Sequence, residues 1–64
     1  MHQAEISIRN DIENLTLYRL APITHDIKID IKYAFWHGFI DEYIYIDLQK
    51  KLQEKYNSLF EQTY

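Results

Sequence analysis

The amino-acid sequence predicts a small all-α protein with three helices, at about residues 3–20, 24–37 and 41–61. Apolar residues recur three or four positions apart in each segment, which is the period of a helix with a buried face. The chain also has one glycine and one proline, whereas a sheet of several strands normally needs several glycine-containing turns. The alternative is an α+β fold with short N-terminal strands and one long C-terminal helix. Either fold is a single small domain over residues 1–64.

The first predicted helix, residues 3–20, is defined by an apolar stripe and by the proline that follows it. The stripe consists of Ala4, Ile8, Ile12, Leu15 and Tyr18. Pro22 ends the segment, because a proline disfavours helical geometry in the residue before it. Asn10 and Glu13 also have the spacing of a capping box. The helix could therefore begin at Asn10 instead and leave residues 4–9, AEISIR, as a short strand.

The segment DIKIDIKY, residues 26–33, fits both a strand and a helix. Its isoleucines alternate with charged residues, as in a half-buried strand. On a helical projection the same region forms two apolar stripes, which are Ile27, Ile31, Ala34 and Phe35 on one side and Ile29, Tyr33 and Trp36 on the other. Pro22 and Thr24 favour a helix start, with Asp26 in the first turn. We therefore predict a helix over 24–37 and keep a strand as the alternative.

The turn between the second and third helices is predicted at Gly38, the single glycine of the chain. A glycine just after a helix, in the left-handed conformation and followed by an apolar residue such as Phe39, is a common helix end. Asp41 then has the position of an N-cap for the next helix, with Glu42 in its first turn. A helix end and a helix start so close together predict an αα-hairpin.

The third helix, residues 41–61, has the clearest periodicity. Its predicted buried stripe is Tyr45, Leu48, Leu52, Tyr56 and Leu59. Acidic residues open the helix and lysines follow, an order that the helix macrodipole favours. Asp47 and Lys51 are four residues apart in the stabilising order, so an ion pair worth ~0.3 kcal/mol is predicted.

Surplus apolar surface on the second helix predicts self-association. A chain of 64 residues buries only about 60 % of its unfolded surface, and without cysteine it lacks disulfides and thiolate metal sites as supports. Six tyrosines and one tryptophan favour the same conclusion, because these side chains are enriched at binding hot spots. A subunit interface would bury the second stripe. The predicted interface residues are Ile29, Tyr33, Trp36 and Tyr43.

No residue pattern predicts a catalytic, cofactor-binding or metal-binding site. The three histidines, His2, His25 and His37, lack the i,i+4 spacing of a helical metal site, and His37 is expected instead at a helix end. A single glycine excludes a glycine-rich phosphate loop. His25 and Asp26 could form a base and its orienting group, but no nucleophile stands out beyond Ser7 and Ser58, so a catalytic triad is not predicted. We therefore predict a non-enzyme without a cofactor.

Residues 44–56, IYIDLQKKLQEKY, resemble the second helix of the small sporulation-type aspartyl-phosphate phosphatases, which are acidic helical hairpins with a Ser-Gln-x-Leu-Asp motif. The resemblance implies a phosphatase that acts on aspartyl phosphate. The match departs at the motif itself, where Gln49, Lys50, Lys51, Leu52 and Gln53 end without the aspartate. No catalytic residue is therefore assigned from this resemblance.

The predicted function is a small acidic protein-binding regulator or inhibitor that, as a homodimer, occupies the surface of an unidentified larger protein. Its size and composition are those of inhibitors of phage, host-defence or signalling enzymes, an analogy of class. The first alternative is a nucleic-acid-associated transcriptional regulator of helix-turn-helix type, whose dimer would bring Lys50, Lys51 and Lys55 together. The net charge of −3 counts against nucleic acid. The chain shows no membrane-span or signal pattern, which predicts a cytoplasmic protein.

Overall fold

The computed structural model describes residues 2–62 and contains three α-helices. They are α1 (Gln3–Glu13), α2 (Leu20–Trp36) and α3 (Glu42–Glu61). The all-α prediction is therefore confirmed. No strand occurs within the described residues, so the strand interpretations of 4–9 and 26–33 are wrong. Within residues 2–62 no helix is both long enough and apolar enough to cross a lipid bilayer.

The first helix, α1, ends at Glu13 and not at residue 20 as predicted. Asn14 follows as the C-cap, and its backbone N–H and side-chain amide both donate to the carbonyl oxygen of Asn10, at 3.0 and 2.9 Å. The chain then turns, so that Leu15 is buried outside the helix while Tyr18, predicted on the buried stripe, is 77 % exposed. Asn10 lies inside α1, so the alternative in which the helix starts at Asn10 is wrong.

The second helix, α2, begins at Leu20, before the start predicted at Thr24. Pro22 lies in its first turn and does not end the preceding helix. A proline is tolerated there because the first N–H groups of a helix have no partner within the helix. Arg19 precedes α2 in the left-handed conformation, with φ 52°, and this residue helps to reverse the chain. Asp26 accordingly lies beyond the first turn, contrary to the prediction.

The αα-hairpin predicted at Gly38 is confirmed. Gly38 has φ 75°, a conformation that a residue with a side chain adopts at a cost. The N–H groups of Gly38 and Phe39 donate to the carbonyl oxygens of Phe35 and Ala34, at 3.1 and 2.9 Å respectively. These two hydrogen bonds are those of a Schellman motif, and they satisfy carbonyl groups that the end of α2 leaves without partners.

The third helix, α3, matches its prediction. Asp41 is the N-cap, and its Oδ1 accepts a hydrogen bond from the backbone N–H of Ile44 at 2.8 Å. Glu42 lies in the first turn, where the helix macrodipole favours a negative charge. On the buried stripe, Leu48 and Leu52 are almost completely enclosed.

The core lies where the three helices meet. Its apolar cluster consists of Ile8, Ile12, Leu15, Ile27, Ile31, Ala34, Ile40, Leu48 and Leu52, and the polar residues Glu5 and Thr24 are buried as well. The molecule is elongated, with extents of 39 × 18 × 16 Å, so the core is a thin column. Each helix therefore buries one side only, and for α2 the side left in water is also apolar.

Candidate protein-binding surface

The outward side of α2 carries three apolar residues that the fold leaves in water. Ile29, Tyr33 and Trp36, here called the α2 ridge, are 48 %, 58 % and 78 % exposed. At 100° per residue they fall within about 60° of the helix circumference, opposite the buried Ile27 and Ile31. The sequence predicted these three residues on a second face of the helix, and the structure places them there. Their role as an interface stays a prediction.

An acidic flank, Asp26 and Asp30, runs along the side of the α2 ridge that faces α1. Asp30 lines a cavity of about 280 Å³ together with Ser7 and Ile8 of α1. Partial burial raises the pKa of the Asp30 carboxyl above its ordinary value, and the negative charges of Asp11 and Asp26 raise it further. Carboxylates from two helices therefore concentrate negative charge on this side of the ridge.

A basic flank, Lys28 and Lys32, runs along the other side of the α2 ridge, which faces α3. Both lysines line a groove of about 500 Å³ with Lys50 and Ile46 of α3. None of the described residues that line this groove is acidic. Three lysines thus line one groove in a chain whose net charge is −3. On α2 itself, the ridge separates an acidic flank from a basic one.

Tyr43, the fourth predicted interface residue, lies on a different helix from the other three. It is in the first turn of α3 and is 82 % exposed. Ile46 follows about one turn later and is 58 % exposed. We call Tyr43 and Ile46 the α3 patch. The four predicted interface residues therefore lie on two separate exposed apolar surfaces, the α2 ridge and the α3 patch.

Four aromatic rings pack at the end of the molecule near the hairpin. The ring centroids are 4.3 Å apart for Tyr33 and His37, 5.6 Å for His37 and Phe39, and 4.3 Å for Phe39 and His2. The His37 backbone N–H also donates to the Tyr33 carbonyl at 3.0 Å, consistent with its predicted place at a helix end. His2 additionally caps α1, since its Nδ1 accepts from the N–H of Ala4 at 2.9 Å. The sequence analysis missed this role of His2.

A network of three charged side chains joins α1 to α3. The Arg9 guanidinium donates to Glu5 at 2.8 Å and to Asp47 at 3.1 Å, and Glu5 is only 6 % exposed. The hydrogen bond to Glu5, more than that to Asp47, raises the pKa of the Arg9 guanidinium above its ordinary value. The ion pair predicted between Asp47 and Lys51 is wrong, because Asp47 instead pairs with a residue on another helix.

A second groove between α2 and α3, of about 350 Å³, has Thr24, His25, Lys28 and Tyr56 among its lining residues. Thr24 is 5 % exposed, and its Oγ1 has no hydrogen-bond partner within residues 2–62. A buried hydroxyl without a partner costs about 1–3 kcal/mol. This threonine is therefore a weak point in the packing of α2 against α3.

Within residues 2–62, no group of three or more His, Cys, Asp or Glu side chains could hold a metal ion. In the phosphatase-like stretch, Gln49 lines the lysine groove and the Gln53 side-chain amide donates to Asn57 at 3.0 Å. Comparison with protein-family models, curated proteins and solved structures finds no match to this chain. Function has to be inferred from the surface itself.

Proposed function

We propose that the protein is a non-enzymatic, cytoplasmic, protein-binding regulator or inhibitor, which forms a homodimer and occupies the surface of a larger protein. The observation that supports this proposal is the exposure of Trp36 and Tyr43, at 78 % and 82 %. Burial of apolar surface stabilises a protein by ~25 cal/mol per Å². Leaving these aromatic side chains in water therefore loses a stabilisation that is a large share of the ~5 kcal/mol free energy of unfolding of a small domain. Interfaces are enriched in such side chains.

The two exposed apolar surfaces suit two separate contacts. The α2 ridge is two helical turns long and has opposite charges on its flanks, which suits a second copy of the chain. In the α3 patch, Tyr43 follows Asp41 and Glu42 at the acidic start of α3, which suits a larger protein with an apolar pocket and a basic rim. In this proposal Tyr43 fills the pocket of the larger protein.

Affinity capture from the native cells, followed by mass spectrometry, tests the larger-partner contact. The wild type is expected to retain one larger protein, and Tyr43→Ala is expected to reduce that retention at least tenfold, as truncation of a hot spot does. Tyr18→Ala is the matched control, because Tyr18 is a tyrosine of similar exposure, 77 %, outside both surfaces. Equal retention by the two variants would refute the role of Tyr43. Capture of no protein by the wild type would count against the larger partner.

One observation favours the nucleic-acid alternative. Lys28, Lys32 and Lys50 line one groove, and of these only Lys50 is among the lysines that the sequence analysis named. Asp41 and Glu42, at the start of α3, oppose the use of that helix for recognition, because they would face phosphates with like charge. For three phosphate contacts, the logarithm of the DNA-binding constant should fall with the logarithm of the salt concentration at a slope of about −3. Retention on duplex DNA with this salt dependence would favour the nucleic-acid function over the protein-binding one.

A further inference from the structure

We propose that α2 pairs in parallel with α2 of a second copy, so that the acidic flank of each chain lies against the basic flank of the other. This inference deepens the homodimer part of the proposed function and rests on it. The exposed α2 ridge supplies the apolar contact. The charges of the two flanks favour a second copy of the chain as the partner, and they favour a parallel orientation of its α2.

The charges stand symmetrically about the ridge. Measured from Ile29 at 100° per residue, Asp26 and Asp30 lie about 60° and 100° to one side, and Lys32 and Lys28 lie about 60° and 100° to the other. The two pairs are offset by about 3 Å along the helix axis, at 1.5 Å per residue. A lysine side chain spans that offset. Both flanks are therefore within reach of a chain that covers the ridge.

The direction of the second helix decides which flanks meet. A two-fold axis parallel to the helices places the acidic flank of one chain against the basic flank of the other, on both sides of the ridge. In an antiparallel pair each flank meets its own copy, so Asp26 and Asp30 face aspartates while Lys28 and Lys32 face lysines. Like charges placed together oppose association. Charge complementarity therefore selects the parallel pair.

Residues of the neighbouring helices add to both flanks. Asp11 of α1 lies close enough to Asp30 to raise its pKa, which places a third carboxylate on the acidic side. Lys50 of α3 lines the same groove as Lys28 and Lys32, which places a third ammonium group on the basic side. Each copy thus offers three acidic and three basic groups across one apolar ridge.

The area that the α2 ridge can bury is typical of the interface of a weak dimer. Given their exposed fractions, Ile29, Tyr33 and Trp36 offer on the order of 400 Å² per chain, and the flanks add to this. Two copies would together bury about 1,000 Å², which is near the lower limit for a specific interface. We therefore expect a dimer at tens of micromolar that dissociates on dilution.

Equilibrium sedimentation at tens of micromolar tests the pairing. The wild type is expected to be a dimer, and the double variant Tyr33→Ala/Trp36→Ala is expected to raise the dissociation constant at least tenfold. Tyr43→Ala is the matched control, because it removes an exposed tyrosine of the α3 patch and should leave the dimer unchanged. Circular dichroism checks that each variant keeps its helices. A monomeric wild type, or a double variant that still dimerises, overturns the proposal.

Charge reversal tests the role of the flanks. Asp26→Lys/Asp30→Lys makes both flanks basic and should dissociate the dimer. Adding Lys28→Asp and Lys32→Asp exchanges the two flanks and should restore it, which a loss of folding would not do. A dissociation constant that stays within twofold after the first reversal overturns the role of charge.

A single cysteine tests the direction of pairing, since the chain has none of its own. Pro22→Cys places the thiol on the line of the ridge at the start of α2, where a parallel pair brings two copies together and oxidation should link them. In an antiparallel pair centred on the ridge, the two thiols lie about 30 Å apart along the helix axis and should not link. Ser58→Cys, exposed on α3, is the control for random oxidation.

A monomeric wild type that still captures a larger protein overturns this pairing alone, whereas a dimer that captures none overturns the larger partner alone.

Discussion

Replacement of Arg9 by methionine tests the reasoning about the network that joins α1 to α3. The Arg9 guanidinium is the partner of the buried Glu5 carboxylate, at 2.8 Å, and of Asp47, at 3.1 Å. Methionine keeps an unbranched apolar side chain at this position and removes the guanidinium and its charge. Glu5, with a side chain 7 % exposed, is then left buried without the cation that neutralises it.

The expected loss follows from the exposure of each partner. Breaking a fully buried ion pair costs about 3–5 kcal/mol, but the Arg9 side chain is 32 % exposed and water reaches it. We therefore expect Arg9→Met to lower the free energy of unfolding by about 2 kcal/mol. The Asp47 side chain is 36 % exposed, and Asp47→Asn should cost less than about 1 kcal/mol, as exposed pairs do. Glu5→Leu/Arg9→Met removes both charges and should cost less than Arg9→Met alone.

Urea unfolding followed by circular dichroism measures these differences. With a slope of about 1 kcal/mol per molar urea for a small domain, Arg9→Met should lower the midpoint by about 2 M. All variants are compared at one low protein concentration, because dimerisation adds to apparent stability. The reasoning is refuted if Arg9→Met costs no more than Asp47→Asn, or if the double variant is less stable than Arg9→Met.

Three further predictions concern local features of the fold. Gly38→Ala should lower the free energy of unfolding by about 1 kcal/mol, because the added Cβ would meet open space and only the left-handed conformation is penalised. Arg19→Gly, at the other left-handed residue, should raise the free energy of unfolding by about 0.5 kcal/mol. Thermal unfolding that shows the same sign of change for both variants would contradict this conformational explanation. Thr24→Val replaces the unpartnered hydroxyl by a methyl group and should stabilise by about 1 kcal/mol; a loss of stability in urea would mean that the hydroxyl is bonded. Asp30→Asn should stabilise by about 0.3 kcal/mol at neutral pH, because it removes a partly buried charge and its repulsion with Asp11 and Asp26. Because the folded pKa of Asp30 is raised, its ionisation opposes folding, so the gain should appear as pH rises through that pKa and vanish below the ordinary pKa of about 3.9; a gain that is equal at acid and neutral pH would contradict this cause.

Local signals in the sequence were sufficient for α3 and for the hairpin before it. Gly38 and Asp41 act through hydrogen bonds to residues three to five positions away, so the identity of each residue predicts its role. The two-stripe pattern of α2 also placed Tyr33 and Trp36 correctly on the exposed side. A thin core can cover only one side of each helix, and the second stripe is left in water.

Contacts between helices decided the features that the sequence analysis missed. An apolar stripe through Leu15 and Tyr18 is compatible with a helix to residue 20, yet the chain turns at Asn14 and buries Leu15 from a loop. Asp47 has a suitable partner on its own helix, yet it pairs with Arg9, 38 residues away in the chain. Neither outcome is visible from spacing within one helix.

The sequence by itself determined that this protein is made of helices, where its hairpin lies, and that α2 has a second apolar side. Only the tertiary structure decided that Asp30 beside that side faces α1 while Lys28 and Lys32 face α3. The physical reason is that the period of a helix orders its residues around its own axis, whereas the packing of all three helices determines which neighbour each side meets.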